Sequence, residues 1–177
     1  ALPGVAPKML GQDEVSGVIA LEWLPPDKHP VWKTEMMTGH IPHAFAGEVG
    51  RRLARIHSVT ALVRDPSVEV DFPTDSIFYA IRLEPYLAAL RPVWPDLAPQ
   101  LTALINRTAS TKRCLIHGDI SPKNILMGPS GPVFIDAECA WAGDPAFDLA
   151  FCLNHLLLKC NVHPDKLEDF GKSFKEL

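Results

Sequence analysis

The sequence has neither an excess of positive charge nor an apolar run long enough to cross a bilayer. Its 17 Lys and Arg residues are outnumbered by 21 Asp and Glu residues, and the formal net charge is -4, so nucleic acid is not an expected partner. The longest apolar stretch, 146–158, is interrupted by Asp148, Asn154 and His155 and is too polar for a membrane span. No charged segment followed by an apolar one stands at the start, so no secretory signal is visible. These absences favour a cytoplasmic protein.

Motifs that bind metal clusters or form disulfide frameworks are also missing. No two cysteines stand in a C-x-x-C pair, so we expect buried free thiols in a reducing compartment. His40 and His43 have a spacing that suits a metal, but Pro42 separates them and no third ligand lies near them in the sequence. We therefore interpret both histidines as loop residues. The four cysteines are Cys114, Cys139, Cys152 and Cys160.

What the sequence does contain is enough apolar material for one folded domain, because 47% of its 177 residues are hydrophobic. A run of apolar and β-branched residues, 18–24, ends at Pro25-Pro26 and predicts a short buried strand followed by a turn. Residues 25–43 are predicted to form a loop with one helical turn near 32–37. A short apolar run follows at 114–116, and two more apolar triplets stand at 125–127 and 133–135.

Helices are predicted from apolar residues spaced three and four apart, together with proline and capping signals. The predicted helices are 44–58, 76–90, 95–107 and a long helix capped by Asp144 and begun by Pro145. In the first of these, Val49, Leu53 and Ile56 form the apolar face, and His57 beside that face is interpreted as a core histidine. The apolar face of the last helix consists of Leu149, Cys152, Leu153, Leu156 and Leu157.

The segment between Asn124 and Asp136 has the pattern of a β-hairpin, since two apolar triplets flank a turn rich in Gly, Pro and Ser. A turn centred on Ser130 would pair Ile125 with Ile135 and would place Asn124 opposite Asp136. Opposed residues of paired strands lie about 5 Å apart at the Cα. An amide oxygen and a carboxylate would then lie side by side, which suits a hard divalent cation.

Asp119 precedes Asn124 by five residues, on a loop constrained by Gly118 and Pro122. Its carboxylate can lie near the same metal without binding it and can accept a proton from an attacking hydroxyl. Asp and Asn are also common in turns for structural reasons. The three polar residues together nevertheless favour phosphoryl transfer, in which the protein supplies mainly positioning and charge neutralisation. A metal-dependent hydrolase of phosphate esters is an alternative for the same residues.

Three motifs follow one another in the second half of the chain. His117-Gly-Asp119-x-x-x-x-Asn124 is followed by Ile135-Asp136-Ala-Glu138 and then by Gly143-Asp-Pro-Ala-Phe-Asp148-Leu-Ala150. In this order they resemble the catalytic loop, the metal-binding segment and the following helix start of the aminoglycoside phosphotransferase and choline kinase family, distant relatives of protein kinases. Upstream, Leu21-Glu22-Trp23-Leu24-Pro25 resembles the hinge strand between the two lobes of such kinases, and Leu53-Ala-x-Ile56-His57 resembles the first helix of their C-lobe.

The resemblance implies a role for each matching residue. Asp119 would be the catalytic base that orients the acceptor hydroxyl, and Asn124 and Asp136 would bind Mg²⁺ on the phosphates of ATP. His117 would support the loop. Asp148 would reach back from the first turn of its helix to the backbone of the loop; the alternative is a carboxylate that only complements the helix dipole.

Nucleotide and substrate contacts are implied in the same way. Backbone groups near Glu22 and Leu24 would bond the edge of the adenine; the alternative is a buried edge strand of unrelated purpose. Glu138 would contact the substrate or remain a solvated carboxylate. The carboxylates of Asp119, Asp136, Glu138 and Asp144 hint at a cationic small-molecule acceptor, such as an amino sugar or an amino alcohol.

The implied fold is an α+β, protein-kinase-like C-lobe, mainly α-helical with a small β-hairpin at the active site. We expect residues 1–24 to be a remnant of the N-lobe with its hinge strand, and 25–177 to be the C-lobe, incomplete at its C-terminus. The glycine-rich loop, lysine and glutamate of a kinase N-lobe do not precede residue 18, and the chain begins with Ala1. We therefore expect a fragment of a longer enzyme that catalyses poorly alone; the alternative is an inactive lone C-lobe that acts as a binding or regulatory module.

Overall fold

Helices make up most of the regular structure in this computed structural model, which describes residues 2–61 and 74–177. The helices are α1 (Trp32–Met37), α2 (His43–Val59), α3 (Asp75–Phe78), α4 (Glu84–Tyr86), α5 (Ala98–Ser110), α6 (Pro145–Cys160) and α7 (Leu167–Glu176). A π-helical segment, Tyr79–Leu83, connects α3 to α4. Single 3-10 turns occur at Ala88–Leu90, Pro95–Leu97, Pro122–Asn124, Ala137–Cys139 and Pro164–Lys166.

The strands form three small antiparallel ribbons. They are β1 (Met9–Asp13), β2 (Val18–Leu21), β3 (Cys114–Ile116), β4 (Ile125–Gly128), β5 (Gly131–Phe134) and β6 (Trp141–Gly143). β1 pairs with β2, β3 with β6 and β4 with β5. The chain is therefore a mixed α+β structure that is mostly helical, as predicted. No helix in the described residues is long and apolar enough to cross a membrane.

Two compact units make up the chain. The first unit consists of Ala1–Leu53, Ile120–Asp136 and Phe151–Leu177. The second unit consists of Ala54–Asp119 and Ala137–Ala150.

The strand predicted at 18–24 forms in the first unit, but it is shorter and more exposed than expected. β2 ends at Leu21, and every residue of β1 and β2 is exposed. Trp23, beyond the end of β2, is 76% accessible. The prediction of a buried strand is therefore wrong. An apolar run implies burial only where a second layer covers it, and no layer covers this two-stranded ribbon in the part of the chain that the structure describes.

The core of the first unit forms around α1 and the hairpin of β4 and β5. α1 occurs where the sequence predicts a helical turn, and it buries Trp32 and Met36. Trp32 packs edge-on against Phe45 of α2, with 5.3 Å between the ring centroids. The chain just before α1 is joined to β4, because the N–H of Met127 donates to the carbonyl of Pro30 at 2.8 Å. These contacts fix one side of the hairpin.

The helix α2 fixes the turn of the same hairpin. It confirms the predicted helix 44–58 and buries Val49 and Leu53. Arg52 of the same helix is only 17% accessible at its side chain. Its guanidinium donates to the carbonyl of Pro132 at 2.6 Å and also to the carbonyl of Ser130. A single half-buried arginine thus ties the β4–β5 turn to α2.

The second unit has its own apolar core. Phe78 and Trp141 stack at the centre, with 4.1 Å between their rings and 13° between the ring planes. The indole N–H of Trp141 donates to Asp75 at 2.6 Å, and the ammonium of Lys112 lies 3.6 Å from the centroid of the same ring. The buried members of this core are Phe78, Leu83, Ala88, Ile105, Cys114, Ile116 and Trp141.

The predicted helix 76–90 is not continuous. α3 passes into the π-helical segment, in which the N–H of Glu84 donates to the carbonyl of Tyr79, five residues back. Pro85 follows directly, and a proline inside a helix has no N–H to donate and crowds the carbonyl four residues before it. The wider π turn accommodates this interruption. The helix predicted at 95–107 begins as a 3-10 turn and continues as α5 to Ser110.

The long helix α6 starts as predicted, but its buried face is rotated from the predicted one. Asp144 caps it by accepting the N–H of Ala146 at 3.0 Å. Cys152 and Leu156 are buried, whereas Leu149 and Leu157 are 39% and 54% accessible. The buried positions 148, 152 and 156 are spaced by four, so the inner face is centred on them and includes a carboxylate, that of Asp148. The prediction that Leu149 and Leu157 lie in the core is wrong because it ignored this polar member of the face.

The cysteines are free, as predicted. Cys114, Cys139 and Cys152 are buried and Cys160 is half-buried. Burial raises the pKa of the Cys114 thiol to about 11, with a further contribution from the carboxylates of Asp148 and Asp144. Cys114 is therefore a neutral thiol at physiological pH and acts as a packing residue in the core of the second unit.

Candidate active site

The hairpin that contains the predicted metal ligands forms, but its register differs from the predicted one by one residue. β4 and β5 pair Ile125 with Phe134, so the pairing of Ile125 with Ile135 is wrong. The turn is the two-residue loop Pro129-Ser130 rather than a turn centred on Ser130. Turn-forming residues occupy all of 128–132, and two-residue loops match the twist of paired strands best. The sequence therefore predicts the turn without locating its centre.

Asn124 and Asp136 occupy the open end of this hairpin, in the first unit. The N–H of Ile135 donates to the carbonyl of Asn124 at 3.0 Å, so Asn124 lies opposite Ile135. The prediction that Asn124 lies opposite Asp136 is therefore wrong by one residue. Asp136 follows one residue later, with an exposed side chain and a φ of 65°. Asp and Asn tolerate this left-handed conformation better than other residues with a Cβ.

These two side chains differ in their surroundings. Asn124 is only 4% accessible, while Asp136 faces solvent. Over residues 2–61 and 74–177, no group of three or more His, Cys, Asp and Glu side chains is placed to bind a metal ion.

The second unit contains the loop of residues 117–119, which one buried carboxylate holds by its backbone. Asp148, in the first turn of α6 and 1% accessible, accepts the N–H of His117 at 2.9 Å through Oδ2 and the N–H of Gly118 at 2.9 Å through Oδ1. The ring Nδ1 of His117 in turn accepts the N–H of Asp119 at 3.3 Å. The loop conformation thus depends on a side chain about 30 residues away in the sequence.

His57 is a third partner of that carboxylate. Its Nε2 lies 3.0 Å from Asp148 Oδ2, with 13% of the histidine side chain accessible. The interpretation of His57 as a satisfied core histidine from α2 agrees with this contact, although the sequence did not indicate that the partner would be Asp148. Buried carboxylates need such donors, because an unpaired buried charge is costly.

A residue outside the three sequence motifs lies directly beside Asp119. Arg82, in the π-helical segment, forms an ion pair with Asp119 Oδ2 at 3.1 Å from Nη2, and the two side chains are 10% and 7% accessible. Its Nε donates to the carbonyl of Gly118 at 2.6 Å. A signal was present in the sequence: Arg82 stands four residues after buried Phe78, so it is a charged residue on the apolar face of a helix.

Gly118 is confined by its neighbours, which provides a test of the loop. Its φ is +76°, and a Cβ would lie 2.4 Å from the carbonyl oxygen of Cys139. We expect Gly118→Ala to lower the free energy of unfolding by about 2–4 kcal/mol, from left-handed strain and overpacking. Urea denaturation followed by circular dichroism measures this change.

Gly171 is the matched control for that substitution. It lies in α7 with no atom within 4 Å of a Cβ, so Gly171→Ala is expected to be neutral or to stabilise by up to about 1 kcal/mol. Equal effects of the two substitutions would contradict the close approach at Gly118.

Glu22, Leu24 and Glu138, which the family resemblance assigns to nucleotide and substrate contacts, lie in different parts of the chain. The N–H of Glu22 donates to the carbonyl of Lys8 at 2.8 Å, which leaves that N–H unavailable to a nucleotide. Leu24 is half-buried and Glu138 is exposed, within the 3-10 turn Ala137–Cys139. Glu22 and Leu24 belong to the first unit and Glu138 to the second.

Comparison with known proteins identifies the family to which this chain belongs. The model of the phosphotransferase enzyme family matches residues 2–162, so the chain belongs to this family. This membership confirms the resemblance seen in the three sequence motifs.

Individual relatives are kinases of small molecules. The chain is 29% identical to the methylthioribose kinase of Cronobacter sakazakii over 93% of its own length and 47% of that protein's. It is 26% identical to the methylthioribose kinase of Yersinia enterocolitica over 73% of its own length and 38% of that protein's. The chain thus spans about half the length, or less, of these curated relatives.

A solved structure with a similar fold is that of a choline/ethanolamine kinase family protein from Mesorhizobium loti. The TM-score is 0.58 at 16% sequence identity, over 97% of this chain and 56% of that one. At this identity the similarity concerns the fold.

Proposed function

We propose that this chain is the C-terminal, kinase-like lobe of an enzyme that transfers the γ-phosphate of ATP to a hydroxyl group of a small molecule. Residues 1–24 would be the hinge strand with part of the N-lobe, and 25–177 the C-lobe. The main support is the loop of residues 117–119, whose backbone is held by buried Asp148 within a family of phosphotransferases. Such a constrained loop would present Asp119 in one fixed orientation, which phosphoryl transfer requires.

Mg²⁺ suits the residues at the end of the β4–β5 hairpin by the chemistry of their atoms. Asn124 offers an amide oxygen and Asp136 a carboxylate, and both are hard ligands. Two protein ligands would leave the other positions to water and to phosphate oxygens, which is the usual way in which proteins bind Mg²⁺ with a nucleotide. Bound Mg-ATP would supply the transferable phosphoryl group and the cation that neutralises its charge.

The residues of the chain itself would bind and orient the reactants. Asp119 would accept a hydrogen bond from the acceptor hydroxyl, direct its oxygen towards the phosphorus and take its proton as transfer proceeds. Asn124 and Asp136 would fix the cation. The carbonyl of Glu22 and the N–H of Leu24 would bond the adenine edge, since the N–H of Glu22 is already donated to Lys8.

The acceptor is a small-molecule alcohol, and the charges of the structure limit the case for a cationic one. The carboxylate of Asp119 is paired with Arg82, and that of Asp144 caps α6. Of the four carboxylates that suggested a cationic substrate, Asp136 and Glu138 remain exposed. A suitable panel of acceptors therefore includes neutral methylthioribose beside choline, ethanolamine and an aminoglycoside.

The test of the metal site is a calorimetric titration of Mg-ATP. We expect Asp136→Asn to weaken binding by at least about tenfold, because the charge on the cation would lose its carboxylate partner. Asparagine is chosen because it tolerates the same left-handed backbone, so folding should be retained.

Asp165→Asn is the matched control, since Asp165 is an exposed carboxylate of the same unit and its loss should leave binding unchanged. Equal binding by the parent chain and Asp136→Asn would rule out the proposed cation site. If neither bound Mg-ATP, residues outside this chain would be required for nucleotide capture, and any function of the 177 residues alone would not be catalysis.

A further inference from the structure

We propose that Arg82 is a positioning residue that fixes both the backbone and the carboxylate of the 117–119 loop, from a helix outside the three sequence motifs. The inference rests on the proposed function, in which Asp119 orients the acceptor hydroxyl. It concerns a residue to which neither the motifs nor the family resemblance assigns a role.

The guanidinium of Arg82 contacts both the backbone and a carboxylate of the loop. Nε donates to the carbonyl of Gly118 at 2.6 Å and Nη2 pairs with Asp119 Oδ2 at 3.1 Å. Nη1 donates to the carbonyl of Ile81 at 2.8 Å, and Nη2 also lies 2.9 Å from the Cys139 sulfur. The group is planar and rigid, so it fixes the direction of the Gly118 peptide and of the Asp119 carboxylate together.

Asp148 holds the opposite side of the loop. Gly118 donates its N–H to Asp148 Oδ1 and receives Arg82 at its carbonyl. Both backbone polar groups of Gly118, which belong to two successive peptide units, are thereby fixed by little-exposed, charged side chains of opposite sign. Charge-assisted hydrogen bonds of this kind are stronger and more directional than neutral ones.

The low exposure of the Arg82–Asp119 ion pair makes it sensitive to substitution. The side chains of Arg82 and Asp119 are 10% and 7% accessible, so solvent screens their interaction little. A lysine can keep the charge, but a single ammonium cannot reproduce the fork that reaches a carbonyl and a carboxylate at once. Arg82→Lys should therefore restore only part of what Arg82→Gln removes.

The functional test compares turnover with nucleotide affinity in the full-length polypeptide, well below the melting temperature. We expect Arg82→Gln to lower kcat by about 10- to 100-fold with the KM for ATP unchanged, and Arg82→Lys to recover part of the loss. The rate is measured as ADP release from Mg-ATP with the acceptor panel. Arg107→Gln, at an exposed arginine of the same unit, should have no effect. Wild-type kcat in Arg82→Gln would overturn the inference.

A second measurement does not depend on catalysis. We expect amide hydrogen exchange at Gly118 to accelerate by about tenfold in Arg82→Gln relative to exchange at Leu115, whose N–H donates to Thr60 within the same unit. No acceleration, or equal acceleration at both amides, would overturn the positioning role. Absence of ADP release by the parent protein with a preserved exchange effect would instead refute the proposed kinase function and leave the role of Arg82 in the loop intact.

Discussion

Asp119→Asn is expected to lower the turnover of phosphoryl transfer by about 100- to 10,000-fold in the full-length polypeptide, with Mg-ATP binding unchanged. Asparagine keeps the shape of the side chain and a polar partner for Arg82, but its amide cannot take the proton of the acceptor hydroxyl. Turnover is measured as ADP release with each acceptor of the panel, and nucleotide affinity by calorimetry.

The control for this substitution is Asp96→Asn, which removes an exposed carboxylate from the 3-10 turn Pro95–Leu97 of the same unit. Its turnover should match that of the parent. If Asp119→Asn retained turnover within a few-fold of the parent value, Asp119 would not be the base. A parallel loss of Mg-ATP binding would indicate instead that Asp119 serves mainly to maintain the fold beside Arg82.

Asp148→Ala is expected to lower the free energy of unfolding by about 3–5 kcal/mol. The substitution removes the acceptor of the buried N–H of Gly118, of the part-buried N–H of His117 and of the His57 ring at 3.0 Å. Donors buried without a partner lose their hydration and regain nothing. Urea denaturation should show a lower midpoint with an unchanged slope.

Two further variants separate the network from a simple effect on the helix dipole. Asp144→Ala, at the cap of the same helix, is expected to cost about 1 kcal/mol. Asp148→Asn keeps an oxygen acceptor, but its amide faces N–H donors, so an intermediate loss is expected. If Asp148→Ala cost no more than Asp144→Ala, the carboxylate would act only on the helix dipole.

Elements governed by local sequence were predicted well. α2 follows from the spacing of Val49 and Leu53, and the start of α6 follows from Asp144 before Pro145. In each case the determining interactions span only a few residues: a side chain with its own turn, or a cap with the next N–H. The class of the fold, mainly helical with a small hairpin, follows from the same local signals.

Features governed by distant contacts were predicted less well. The register of β4 and β5 depends on which of several turn-forming residues closes the loop, and a one-residue error changes the partner of Asn124. The exposure of β2 depends on the presence of a covering layer, which no short window of sequence reports. The position of Arg82 on an apolar face is a local signal, but its partner could not be predicted, because Asp119 lies 37 positions further along the chain.

The left-handed backbone at Asp136 restricts which amino acids the position can accept. Folding alone would admit glycine, asparagine or aspartate there with least strain at a φ of 65°. A role in holding a divalent cation requires a side-chain oxygen, which excludes glycine, and compensation of the cation's charge favours aspartate over asparagine. In a library with all substitutions at this position, glycine, asparagine and aspartate would therefore be the least destabilised variants, and aspartate alone among them would keep full nucleotide affinity.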